Sequence, residues 1–246
     1  MAPVTEPAWR RAGLVLCAHG IAGGPGAAAR HAAAIARRGL FAEVRACALR
    51  GRPTPAEAIG AMAGAELHIV PFLMADGHLM RQVLPRALAE LGGGRRIVLH
   101  RPVGDDPRLA ALLEAKARTA CARRGWRAAD TALLLIGHGT PRAARSRASA
   151  EAQAARIAAA GRFALCEAAF LKDAPGVPET LARLDGRRCV AVGLFAEAGP
   201  HGSDDVRRLL AAAGDAVVYA GPVGPDPRMA EVILDHLRTA GALVAA

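Results

Sequence analysis

The chain repeats itself. Leu14-Val15-Leu16-Cys17-Ala18-His19-Gly20 recurs as Leu133-Leu134-Leu135-Ile136-Gly137-His138-Gly139. Pro102-Val103-Gly104-Asp105-Asp106-Pro107-Arg108 recurs as Pro222-Val223-Gly224-Pro225-Asp226-Pro227-Arg228. The offsets are 119 and 120 residues, and between these landmarks residues 72–78 have a looser echo in 195–201. Three landmarks in one order at nearly one spacing mark a duplication, which constrains the architecture before any other feature does. It divides the 246 residues into an N-terminal repeat, 1–126, and a C-terminal repeat, 127–246.

Each repeat alternates short apolar runs with longer helical patterns. Strands are expected at 14–18, 43–49, 67–72 and 96–100, and again at 132–136, 163–171, 188–194 and 216–219. Helices are expected at about 26–38, 55–63, 79–91 and 107–123, then at 144–160, 177–184, 203–213 and 227–239. Pro25 and Gly39 bracket the first helix, and Gly92-Gly93-Gly94 separates helix from strand. Asp106 and Asp226, each followed by proline, have the form of helix caps. Strand and helix alternating in this way predict an α/β fold with parallel sheets and right-handed crossovers. The expected architecture is two similar doubly wound parallel-sheet units facing across a cleft, with ligands beyond the carboxyl ends of the strands.

Composition narrows the partners. There are 32 basic and 22 acidic residues, a formal net charge of +10, so anionic partners are favoured. The arginines are scattered and aromatics make up only 3%, which leaves little to stack on bases; nucleic acid is not an expected partner. The five cysteines form no C-x-x-C pair and read as buried reduced thiols, in keeping with a cytoplasmic protein. Residues 1–11 lack a signal-type apolar core, and no segment is long and apolar enough to span a bilayer, so no membrane association is expected. No G-x-G-x-x-G or P-loop stretch is present, which argues against dinucleotide or P-loop chemistry, and no G-x-S-x-G elbow is present either.

Four histidines stand at expected strand ends. His19 and His138 each end the first strand of a repeat; His78 and His201 follow the third. A histidine in a loop is usually just a polar loop residue, but here both the place and the residue type recur. Imidazole ligates divalent iron, cobalt, nickel and zinc, and it is also a base. His31, His68, His100 and His236 have no repeat partner and read as structural or surface residues. The glycine after His19 and His138 allows a sharp turn and close approach of a ligand. A histidine phosphatase also begins with a strand ending in a reactive histidine, but its preceding arginine is replaced here by Ala18 and Gly137. After His138 comes a basic loop in which Arg142, Arg145 and Arg147 are candidates for binding substrate carboxylates.

These residues carry a family resemblance. Residues 133–140 resemble the opening strand and Gly-His-Gly-Ser/Thr turn of the sirohydrochlorin chelatases of cobalamin and siroheme biosynthesis. Ala168-Ala169-Phe170-Leu171-Lys172 with Pro178-Glu179-Thr180-Leu181 is similar to a second segment of that family, and residues 71–85 resemble a third, echoed more loosely by 194–206. The resemblance covers nearly the whole chain, taken as two copies. It implies an ATP-independent chelatase with no tightly bound cofactor. It also implies an anionic tetrapyrrole substrate, sirohydrochlorin or a precorrin, and Co2+ or Fe2+ as the metal substrate. His19 with His78, and His138 with His201, would hold the metal and accept pyrrole protons, and Asp76 is a further candidate ligand.

One position departs from the family. Its acidic residue at the end of the second strand is replaced by Lys172, and by Arg50 in the first repeat. Neither can ligate a metal as a carboxylate can; Asp173 and Glu197 are nearby acids that offer substitutes. The departure leaves a second reading, a non-catalytic metal or tetrapyrrole carrier of the same fold. A two-lobed binding protein of periplasmic type is disfavoured by the cysteine usage and the residues 1–11.

Overall fold

The structure, a computed structural model, describes residues 9–89, 94–140, 145–239 and 243–244. The first repeat runs β1 (Gly13–Ala18), α1 (Ala27–Ala36), β2 (Glu43–Ala48), α2 (Pro55–Gly60), β3 (Glu66–Phe72), α3 (Leu84–Ala89), β4 (Arg96–Leu99) and α4 (Leu109–Arg123). The second runs β5 (Ala132–Gly137), α5 (Arg145–Ala159), β6 (Leu165–Phe170), α6 (Val177–Arg183), β7 (Cys189–Gly193), α7 (Val206–Leu210), β8 (Val217–Pro222) and α8 (Met229–Thr239), followed by a short β9 (Leu243–Val244). The expected alternation is therefore observed. β9 was not expected, and it adds antiparallel to the edge of the first sheet at β4.

The strand orders are β2-β1-β3-β4-β9 and β6-β5-β7-β8, parallel throughout apart from β9. β1 and β5 are buried along their whole lengths, as continuous apolar runs covered on both faces must be. The outer strands β2 and β6 are only partly buried. Local chemistry sets the helices. α1 presents Ala27, Ala28, His31, Ala32 and Ile35 inward at helical spacing. α2 opens with a reciprocal cap, in which the Thr54 side chain accepts from Glu57 N and the Glu57 carboxylate accepts from Thr54 N. In both sheets the order reverses at the first strand, so the first and third strands of a repeat are neighbours about 4.8 Å apart. Loops leaving their carboxyl ends diverge to opposite faces and leave a crevice, the switch point at which such sheets bind ligands.

The compact units and the sequence repeats divide the chain differently. One unit comprises Met1–Asp106 with Pro227–Ala246, the other Pro107–Asp226. The helix after the fourth strand of each repeat thus belongs to the other repeat's unit: α4 packs on α5, β7 and β8, and α8 packs on α1. A buried contact fastens α8. His236 Nδ1 meets Asp106 Oδ2 at 2.8 Å, while its Nε2 donates to the Arg101 carbonyl at 2.9 Å. The corresponding pair in the other unit is Lys116 with Asp226, at 3.9 Å. Asp106 was expected to cap α4, but that helix has Arg108 at its N-cap and no side-chain cap. Ligation of His236 is the stronger use of a fully buried carboxylate, since an unpaired one would cost several kcal/mol.

His68, His100 and His236 lie in a row in the first unit, all buried, so they are structural residues and not surface ones. His68 Nδ1 and His100 Nε2 are 2.9 Å apart and share one proton. All five cysteines are free, four buried and Cys166 half-buried. Burial pushes the Cys166 and Cys189 thiols up to about 12, which leaves them unreactive. Among the described residues no helix is long and apolar enough to cross a membrane.

Three outcomes follow for stability. His236→Ala removes the buried imidazole that meets Asp106 Oδ2 and should cost roughly 3–5 kcal/mol in urea unfolding. Lys116→Ala, at a longer and more open contact, should cost about 1 kcal/mol or less. Burial, with His68 and His236 beside it, holds His100 down at about 3 against an ordinary 6.5. The unfolded chain therefore takes up this proton first, and stability falls as pH drops from 6.5 toward 3, by up to about 1.4 kcal/mol per pH unit. Unfolding free energies at pH 7.5, 6.5 and 5.5 check this above the carboxylate range.

Candidate metal centre

The centre is built at the switch point of the second unit. β5 ends at Gly137, and His138 is the next residue, exposed at the carboxyl edge of the sheet. The backbone there is clasped by the second strand's continuation: Leu171 N donates to Gly137 O at 3.1 Å and Lys172 N to His138 O at 2.9 Å. Gly139 follows with φ 66°, and a Cβ on it would lie 2.7 Å from the Cβ atoms of Phe170 and Asp173. The glycine is thus needed for the approach of the second strand's end as well as for the turn. Gly20 repeats this in the first unit with φ 103°, where a Cβ would lie 2.0 Å from the Arg50 carbonyl.

The second imidazole comes from the neighbouring strand. After β7 the chain enters a π-helical turn, His201–Asp205, that leads straight into α7. The Tyr219 hydroxyl donates to Gly202 O at 2.5 Å and the Ser203 hydroxyl to Ala198 O at 3.0 Å, bracing the turn. The rings of His138 and His201 lie with centroids 5.0 Å apart, nearly perpendicular, and both are exposed.

Hydrogen bonding decides which nitrogens are available. His138 Nδ1 lies 2.7 Å from the Gly139 carbonyl, which can only accept, so Nδ1 carries the proton. His201 Nδ1 lies 2.7 Å from Asp205 Oδ2. That hydrogen bond, helped by the Arg208 guanidinium, holds the Asp205 carboxyl below its ordinary range, so it too accepts. Both Nδ1 positions are committed as donors, and both Nε2 lone pairs remain for a metal or a proton. Among the described residues no group of three or more His, Cys, Asp or Glu side chains is set to hold a metal. The pair offers two protein ligands, and such a site leaves most coordination positions to other donors.

The first unit departs from this arrangement by one residue. Gly104 N donates to Leu73 O, and Gly224 N to Phe195 O, which fixes the correspondence of the loops. The turn matching His201–Asp205 is Leu79–Val83, leading into α3 as its counterpart leads into α7. His201 therefore stands in the place of Leu79, and His78 in that of Pro200. The position of Asp205 is held by Val83. The four histidines recur in type and neighbourhood, but the second pair is not equivalent in the backbone. His19 and His78 are both exposed.

Asp76 receives the Arg81 guanidinium at Oδ2, from Nε at 3.1 Å and Nη2 at 2.6 Å. Asp173 accepts from Ala174 N at 2.9 Å and lies 3.7 Å from Arg147 Nε. Arg147 also donates to Ala174 O at 3.1 Å, beside the second strand's end. Lys172 and Arg50 are exposed, and their backbones bond the carbonyls of His138 and His19. Arg142 and the side chain of Arg145 lie outside the described residues. Asp205 was not anticipated. Its only sequence signal is the spacing His201-x-x-x-Asp205, one face of a helical turn.

A family model described as CbiX matches the chain twice, over residues 13–120 and 132–240. A probable sirohydrochlorin cobaltochelatase of Halobacterium salinarum is 26% identical, covering 94% of this chain and 92% of that protein. Among solved structures, a multi-domain protein from Deinococcus radiodurans with structural similarity to chelatases has 28% identity and a TM-score of 0.79; the match covers 94% of this chain and 55% of that one. The CbiX described as the terminal enzyme of siroheme biosynthesis in denitrifying bacteria is 31% identical with a TM-score of 0.73, covering 91% of this chain and 97% of its own. SirB from Bacillus subtilis, at 17% identity and a TM-score of 0.75, shares the fold, covering 93% of this chain and 94% of that one.

Gly139→Ala should destabilise the protein by about 1–3 kcal/mol, because both the positive φ and the contact with Phe170 oppose a methyl group. Thermal unfolding measures this, and Gly161→Ala, at positive φ but with open space around it, is the milder control.

Proposed function

The chain belongs to the CbiX family, and from that premise we propose that it inserts Co2+ or Fe2+ into sirohydrochlorin or a related precorrin, with His138 and His201 as the working pair. The observation that carries this reading is the juxtaposed rings, 5.0 Å apart, each with Nδ1 occupied and Nε2 open.

Metal insertion makes three demands. The metal must be held by few, exchangeable ligands so that the macrocycle's four nitrogens can take it over. Two imidazoles meet this better than a closed four-ligand cage, which would trap the ion. Two pyrrole protons must leave, and an Nε2 vacated by the departing metal can accept one. The macrocycle must be gripped, and its carboxylates suit a chain of net charge +10. Lys172 stands where the family has an acid, beside the backbone of His138. In this reading its ammonium pairs with a substrate carboxylate, and Arg147 does the same from the adjoining helix. Neither a nucleotide nor a resident cofactor has a part in this chemistry.

The carrier reading keeps binding and gives up rate. Absorbance spectra of sirohydrochlorin with Co2+ or Fe2+ separate the two. The wild type should accelerate insertion well above the uncatalysed rate. His138→Ala and His201→Ala should each lose at least tenfold, and His19→Ala and His78→Ala should lose little. Tetrapyrrole binding without acceleration would leave a carrier, and equal loss from all four variants would overturn the assignment to the second unit.

A further inference from the structure

We propose that Asp205 is a positioning residue, holding His201 in the Nδ1–H form with its Nε2 lone pair directed to the metal, and that it confines the working centre to the second unit. The inference rests on the reading of His201 as a metal-binding residue and deepens it. Three observations carry it. The first is the 2.7 Å bond from His201 Nδ1 to Asp205 Oδ2. The other carboxylate oxygen accepts from Arg208 Nη1 at 3.2 Å, so the carboxylate plane is fixed from both sides. The second is the turn itself. His201 and Asp205 are the first and last residues of one π-helical turn, braced by Tyr219 and Ser203, so that neither end of the bond drifts independently. The third is the natural comparison within the chain. The first unit builds the same turn at Leu79–Val83 but puts valine at the acid's position and histidine one residue too early.

The physical consequence is specific. A neutral imidazole in water populates both tautomers, and the Nε2–H form has no lone pair to offer on that side. A carboxylate accepting at Nδ1 removes that form, fixes the ring plane and makes the ring more electron-rich, and loss of such a partner typically costs 10–100-fold in metal affinity. His138 gets the same fixation from a backbone carbonyl, which no substitution removes. His201 depends on a side chain, so the effect can be isolated by mutation.

The test uses the full chain and Co2+ alone as probe. Nitrogen-15 NMR reports the tautomer of each histidine, and the visible absorption of bound Co2+ reports affinity. Asp205→Ala should convert His201 to a mixture of tautomers, leave His138 as Nδ1–H, and weaken Co2+ binding about 10–100-fold. Asp205→Asn, which keeps shape and an accepting oxygen, should fall between Ala and wild type, and guards against misfolding of the Ala variant. Arg208→Ala should keep the His201 tautomer. If His201→Ala abolishes Co2+ binding while Asp205→Ala and Asp205→Asn match wild type in tautomer and affinity, the positioning role is overturned and the site reading survives. If His201→Ala leaves Co2+ binding intact, the site reading itself falls and takes this proposal with it.

Discussion

Two hydrogen bonds at Nδ1 set what the second unit can do. A carbonyl fixes one ring and a carboxylate the other, and both leave Nε2 bare at the edge of a parallel sheet. Everything beneath these contacts serves to bring them about. The buried strands β5 and β7 lie side by side because the sheet order reverses there, and each delivers one histidine from its carboxyl end. The glycine after His138 lets the end of the second strand close beneath it. The π-helical turn then carries His201 and Asp205 on one piece of backbone.

The duplication explains both the symmetry of the chain and its failure. Each repeat sends its last helix to the other's unit, and each such helix is met by an aspartate at equivalent sequence positions, Asp106 by His236 and Asp226 by Lys116. One contact is short and fully buried, with the His100 ring packed beside its histidine; the other is longer and somewhat more open. The same drift separates the candidate centres. The backbones of the two turns remain superposable in type, while their side chains have parted: valine against aspartate, and histidine displaced by one residue.

Much of this was legible in the sequence. Period and punctuation located most strands within a residue or two, most sharply β1 and β5, whose apolar runs are buried on both faces, and missed the end of β8 by three. The recurrence of His-Gly after the first strand pointed to His19 and His138. What escaped is what depends on backbone geometry of low sequence contrast. The motif at residues 195–201 matches that at 72–78 end to end, and only the bonds from Gly104 and Gly224 reveal that the loops align one residue out of that register. Asp205 lies four residues beyond His201, where a carboxylate is ordinarily a solvated helix residue. Asp106 has the form of a helix cap, and its true partner is 130 residues away. The aspartate expected near His78, Asp76, is occupied by Arg81, a partner five residues on that a spacing rule does not flag.

The most direct measurement of the central claim is anomalous diffraction from crystals of the protein equilibrated with Co2+. The account predicts cobalt bonded to Nε2 of both His138 and His201, with Asp205 still on Nδ1 of His201 and outside the coordination sphere. Cobalt held by His19 and His78 with the His138–His201 pair empty, or bonded through Nδ1 of either ring, would contradict it.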